Sequence, residues 1–193
     1  GYLLVGILGN LNIGIRHLLP IIPLIYILVV WGVKEFLVHI QNKRFQHIAL
    51  GAVVGIFVWY ISSSLMAFPH YIPYYNVLAG NTENGYRIAV DSNYDWGQDF
   101  YKLVNFIEAN NIQKIHLDYF GGENPEFYLG DTYVKLDRNN PPKEGWVAIS
   151  LNQLQGGLAN PVAGFDQPTG FYNWTLQYIP IRIGNSIFIY HIE

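Results

Sequence analysis

The chain has 193 residues, of which 51% are hydrophobic and only 13% charged, with a net charge of −3; an ordinary soluble domain carries roughly 25% charged residues. No cysteine is present, which excludes disulfide staples and thiolate metal sites but leaves the compartment open. The charge is also divided: four Lys/Arg face one acid up to Phe68, and seven face thirteen after it, giving +3 and −6. Two differently built regions therefore share the chain, and nucleic acid is not expected as a partner.

The chain opens at Gly1 without a basic segment before an apolar run, so it does not read as a signal peptide. A portion of a longer protein is expected, with Gly1–Gly9 the tail of an earlier helix. Asn12-Ile13-Gly14-Ile15-Arg16-His17-Leu18-Leu19-Pro20 follows. A guanidinium suits phosphate through its planar fork, and an imidazole adds a second donor. Arg16 and His17 are thus candidate contacts to a phosphorylated lipid, against a snorkelling Arg with a capping His.

Leu18 to Val33 carries no charge and rises about 24 Å as a helix, against a hydrocarbon core of roughly 30 Å. The apolar pattern runs on to Ile40, with Lys34 and Glu35 expected near the interface. Ile48 to Phe68 is a second apolar run, whose polar groups are Ser62, Ser63 and Ser64. The expected spans are about 18–40 and 48–68, joined by a loop at about 41–47. Lys34, Lys43 and Arg44 around that loop place it in the cytoplasm, and hence everything after Phe68 on the outer face. A connector over 69–85 carries Tyr71, Tyr74 and Tyr75, suited to a membrane-surface belt, with Pro69 and Pro73 stopping the helix.

From about residue 86 the pattern changes to alternating strands and helices. Tyr86–Val90 predicts a short strand, Gly97–Asn110 an amphipathic helix, Lys114–Phe120 a strand, Asn124–Leu129 a helical turn and Trp146–Ser150 another strand. The C-terminal IPIRIGNSIFIYHI predicts a hairpin turning on Gly184-Asn185. The fold class is thus a membrane helical hairpin over residues 1–68, followed by a small extracytoplasmic α/β domain with a mixed sheet over 86–193.

The stretch Asp91-Ser92-Asn93-Tyr94-Asp95-Trp96-Gly97-Gln98-Asp99-Phe100 concentrates acids. A calcium loop of EF-hand type would need Gly at its sixth position and Glu at its twelfth, where Trp96 and Lys102 stand. Asp95 followed by Gln98 instead resembles a capping box, with Asp99 facing the positive end of the helix dipole. If the strands run parallel, their carboxyl ends share one edge, where α/β sheets place ligand crevices. Asp91, Asn93, Asp95, Tyr119, Ser150 and Asn152 are the candidates for such a crevice; polar loops are also polar simply because they are wet. Tyr94, Trp96, Tyr119, Phe171, Tyr172 and Trp174 suit sugar stacking or plain packing. His70, His116 and His191 have no metal-ligand spacing. Asn173-Trp174-Thr175 is a glycosylation sequon with meaning only in a eukaryotic secretory host.

NIGIRHLLPIIP, PHYIPYYNVLAG, DSNYDWGQDF and IRIGNSIFIYHI, in this order, resemble the C-terminal part of bacterial multi-pass glycosyltransferases of the GT-C class, related to the protein mannosyltransferase and aminoarabinose transferase group. That resemblance covers nearly the whole chain. It implies a plasma-membrane enzyme using a polyprenyl-phosphate-linked sugar at the outer face, with a glycan, lipid or protein acceptor. It also implies a carboxylate base in a first outer loop, expected before Gly1, so no catalytic residue is assigned here and this portion alone is not expected to catalyse transfer. Arg16 and His17 match the class's RH-L-P motif as donor-phosphate contacts. No metal ligand is assigned, and a divalent cation stays open as cofactor. The alternative is a non-catalytic membrane-anchored module binding glycan or protein.

Overall fold

The computed structural model describes residues 15–160 and 168–193, together with Leu4. The chain divides into two compact units, Gly1–Tyr71 and Ile72–Glu193.

In the first unit a 3-10 segment, Ile15–Ile21, leads into helix α1 (Ile22–His39), and helix α2 spans Lys43–Met66. Pro23 stands at the start of α1, where a missing N–H costs nothing. The link between the helices is shorter than the expected loop at about 41–47. The reason is Asn42, whose Oδ1 accepts from the backbone N–H groups of Arg44 (2.9 Å) and Phe45 (3.3 Å). This cap draws Lys43 to His47 into the first turn of α2. Gln46 Nε2 reaches back to the carbonyl of Leu37 at 3.0 Å and closes the hairpin. Within α2, Ser64 Oγ donates to the carbonyl of Tyr60 at 3.0 Å, so this hydroxyl is satisfied without water.

Both helices are long and apolar enough to cross a membrane, over Leu18–His39 and Lys43–Met66. The 24 residues of α2 rise about 36 Å. Neither helix buries a residue, whereas a core helix of a soluble domain would. Trp31, Ile56 and Trp59 are each more than half exposed. Leaving such side chains in water forfeits about 1.5–3 kcal/mol apiece, which a lipid surround restores.

The second unit is a five-stranded mixed sheet with helices on its faces. After a turn at α3 (Asn81–Asn84) come helix α4 (Phe100–Ala109), strand β1 (Ile115–Asp118), helix α5 (Pro125–Leu129) and strand β2 (Tyr133–Lys135). Strand β3 (Gly145–Ser150) runs directly into helix α6 (Leu151–Leu158), and β4 (Ile181–Ile183) pairs with β5 (Ile187–Ile192). The strand order is β2-β1-β3-β5-β4. β1 is parallel to both β2 and β3, and β5 is antiparallel to β3 and β4. Alternation divides the core between the sheet's faces. Ala148, Ile187 and Ile189 join Phe100, Leu103 and Ile107 of α4, together with Ile115 and Leu117. Val147, Ile149, Phe188 and Tyr190 pack with Leu151 and Leu154 of α6, and with Tyr172.

Two expectations change, and one strand is added. Tyr86–Val90 is not a strand: Gly85–Arg87 forms a 3-10 turn, and the amides of Ile88 and Ala89 both donate to the Gly85 carbonyl. Local bonds thus satisfy a backbone whose alternation suggested pairing. Tyr75 explains the coil, because its ring lies where a Cβ on Gly85 would stand, 2.2 Å away, and its hydroxyl donates to Ala89. The C-terminal turn has three residues, Gly184 to Ser186, since Ile183 pairs with Ile187. Strand β2 carries no signal in the sequence; its three residues are half-exposed and it lies at the sheet edge.

Candidate functional site: the carboxyl edge of the parallel strands

β1 and β3 run parallel and adjacent, so Asp118-Tyr119-Phe120 and Ser150-Leu151-Asn152 leave the sheet side by side. Ser150 Oγ accepts from the Phe120 N–H at 3.0 Å and ties the two exits together. Asn152 N–H donates to Asp95 Oδ2 at 3.2 Å, and Gly97 N–H donates to Asp95 Oδ1 at 2.9 Å. The single Tyr119 hydroxyl proton is shared between the Gly97 carbonyl, at 3.1 Å, and the nearer Glu123 carboxylate. Of the six crevice candidates, the structure therefore brings together Asp95, Tyr119, Ser150 and Asn152.

Asp91 meets that group through its backbone carbonyl, which accepts from the Asp95 N–H at 3.0 Å, while its side chain and that of Asn93 bond elsewhere. With no strand before them, they form a 3-10 turn in which Asp91 takes φ +51°. Asp91 Oδ2 accepts from Ser92 Oγ, and Asn93 Nδ2 donates to the Val90 carbonyl, both at 3.4 Å. Arg16 and His17 have their backbone in the segment Ile15–Ile21; their side chains lie outside the described residues.

Asp95 does not do what the capping box predicts, whereas Asp99 does stand at the N-terminal end of the helix, toward the positive end of its dipole. Asp95 closes a tight turn rather than a helix end, and Gln98 Oε1 accepts from the Trp96 N–H at 2.8 Å. The helix begins three residues later, at Phe100, with Asp99 at the capping position but making no capping bond. Asp99 Oδ2 instead accepts from Asn185 N (2.8 Å), Ser186 N (3.0 Å) and Ser186 Oγ (2.9 Å). Lys102 Nζ sits 2.7 Å from its other oxygen. The carboxylate lies so close that a Cβ on Gly184 would come within 2.1 Å of it, which with φ +58° requires glycine there. The aspartate-rich stretch thus holds two distant segments, the start of α6 through Asp95 and the terminal hairpin through Asp99.

Burial pushes the Asp95 carboxyl up to about 6, overriding the two backbone N–H bonds that favour its charge. Tyr119 is raised by burial and then by the Glu123 carboxylate. The Tyr119 hydroxyl occupies the space that a Cβ on Gly97 or Gly121 would need, at 2.2 and 2.0 Å.

A second cluster at the same edge joins two of the aromatics suited to stacking, Phe171 and Tyr172, to Asp118, Arg138 and Gln153, which were not among the crevice candidates. Arg138 Nε donates to Asp118 Oδ2 at 2.7 Å, and its Nη2 donates to Asp118 Oδ1 at 3.3 Å and Gln153 Oε1 at 2.6 Å. The guanidinium lies over the Phe171 ring at 5.3 Å. Tyr172 donates to Asp118 Oδ2 and is raised by burial and by that bond. Asp118 ends β1 as its last residue, a position the rule of strand ends could have flagged. Arg138 could not be found from spacing, because only the sheet register brings it to Asp118.

This edge offers an ion pair, an amide and an aromatic face, a set suited to holding a hydroxyl-rich ligand. Asp95 has both oxygens occupied and is fully buried, so it serves the fold rather than a reacting group. Of the aromatics suited to stacking, Tyr94 and Tyr172 are buried in the core and Trp96 is exposed. Among the described residues no group of three or more His, Asp or Glu is placed to hold a metal ion. Compared with family models, curated proteins and solved structures, the chain finds no match.

Proposed function

We propose that these residues are the C-terminal, membrane-anchored part of a glycosyltransferase of the GT-C class that takes a sugar from a polyprenyl phosphate at the outer face of the plasma membrane. The observation that carries this reading is the pair of long apolar helices, unburied along their length, followed directly by a polar α/β unit. Basic residues around the helix connection support a cytoplasmic turn and an extracytoplasmic C-terminal unit.

On this reading the lipid phosphate departs from the anomeric carbon as the acceptor oxygen attacks, and the configuration inverts. Arg16 and His17 offset the charge that grows on the departing phosphate. The proton-accepting carboxylate is expected in a segment not among these residues. The polar edge at Asp118, Arg138 and Gln153 serves the acceptor. In the full-length enzyme, Arg16→Ala is expected to lower kcat/KM for the lipid donor by about tenfold or more. Transfer from the lipid-linked sugar in proteoliposomes measures it, and unchanged donor binding and turnover would remove the role.

A second reading is an anchored module that binds glycan or protein without catalysis. It is favoured by the commitment of Asp95 and Asp99 to holding the fold. A full-length parent that binds glycan but transfers no sugar from the lipid-linked donor would point there.

A further inference from the structure

The outer unit exposes large aliphatic side chains that its own core does not use. Leu78 is 90% exposed and Ile179 95%, with Leu176 at 72% and Ile88 at 62%. They come from two stretches far apart in the chain, joined by Arg182. Its Nη1 donates to the Glu83 carbonyl at 3.0 Å, and its guanidinium lies over Tyr86 (5.7 Å) and Phe188 (5.2 Å). Arg87, beside Ile88, is exposed as well.

Resting on the membrane reading above, we propose that this surface seats the outer unit on the bilayer, with the aliphatic side chains in the headgroup region and Arg87 and Arg182 against anionic lipid phosphates. Two facts select lipid as the occupant. The first is connectivity: Tyr75 is fixed in the outer unit by its bond to Ala89 and its packing on Gly85. Residues 67–74, at most about 3.5 Å each, are all the chain that separates it from the end of α2. Leu78 follows Tyr75 almost at once. The second is charge. The chain beyond Phe68 carries −6, yet two of its seven cations stand among these aliphatic residues, beside the single acid Glu83. Exposed aliphatic residues with arginines among them are the composition of an interfacial membrane contact.

The test uses the chain's freedom from cysteine. Leu78→Cys, Ile179→Cys, Asn139→Cys and Phe57→Cys are each labelled with an environment-sensitive fluorophore. The labelled chains are reconstituted in nanodiscs of phosphatidylcholine and phosphatidylglycerol containing lipids spin-labelled near the headgroup, or for position 57 deep in the acyl chain. Quenching at positions 78 and 179 should exceed that at 139 by at least about twofold, as interfacial depth requires. Raising salt should weaken it. The proposal is overturned if 78 and 179 are quenched no more than 139 while the label at 57, inside α2, is quenched. It is also overturned if 78 and 179 are shielded from an aqueous quencher without lipid quenching, which would show a protein cover. Failure at 57 as well would instead bring down the membrane reading itself.

Discussion

Replacing Asp99 by alanine is expected to destabilise the second unit by about 3–5 kcal/mol, because two backbone N–H groups and a hydroxyl lose their acceptor at about 1–3 kcal/mol each. The magnitude follows from what the carboxylate holds. Asn185 N, Ser186 N and Ser186 Oγ all donate to one oxygen, and Asp99 is only 2% exposed. Water cannot replace the acceptor without opening the hairpin. Lys102 adds little, because its side chain is 47% exposed and the pair is screened. Asp99→Asn should cost less, since one acceptor oxygen remains. Amide hydrogen exchange at Asn185 and Ser186, with thermal unfolding of the detergent-solubilised chain, measures both effects. A loss below about 1 kcal/mol, the worth of one ordinary hydrogen bond, would show that the terminal hairpin is held by its apolar side chains alone.

The second unit should lose stability as pH rises from about 4 to about 6, and Asp95 should be the cause. Its folded carboxyl lies at about 6 against an ordinary 3.8. Between those values the folded state holds the proton and the unfolded chain does not, so rising pH favours unfolding. Below that window the carboxyl is neutral in both states and the cost is absent. Above it both states are ionised and the folded state carries the full cost of a buried charge. At about 1.4 kcal/mol per pH unit, the loss is at most about 3 kcal/mol. Asp95→Asn should flatten this part of the profile. It should also add an offset independent of pH, because an amide nitrogen would face the Asn152 N–H that Oδ2 now accepts. The difference between parent and variant is the quantity to follow, because it isolates Asp95. A difference that does not change between pH 4 and 6 would show that the two backbone N–H bonds outweigh burial.

Much of the architecture was legible because it is periodic. The two apolar runs, the helix around Phe100, Leu103 and Ile107, the central strands and the closing hairpin all follow from side-chain spacing. What failed was decided by contacts between distant residues. Tyr86–Val90 alternates like a strand, but Tyr75 packs on Gly85 and coils it. Asp95 and Gln98 have the spacing of a capping box, yet their partners are Gly97, Asn152 and Trp96. That Tyr119, Ser150 and Asn152 stand near one another was legible because adjacent parallel strands end together. Asp118 and Arg138 were not, since their pairing depends on the register of β1 with a segment beyond β2. A cluster of aspartates invites a catalytic reading; two of these three are buried carboxylates that hold the α6 start and the hairpin in place.

The membrane arrangement can be tested with single cysteines in this cysteine-free sequence. In intact cells a membrane-impermeant maleimide should label Asn139→Cys, in the second unit, without permeabilisation. It should label Lys43→Cys, at the first residue of α2, only after the membrane is opened. Labelling in the reverse pattern, or release of the chain from membranes by alkaline carbonate without detergent, would contradict the account.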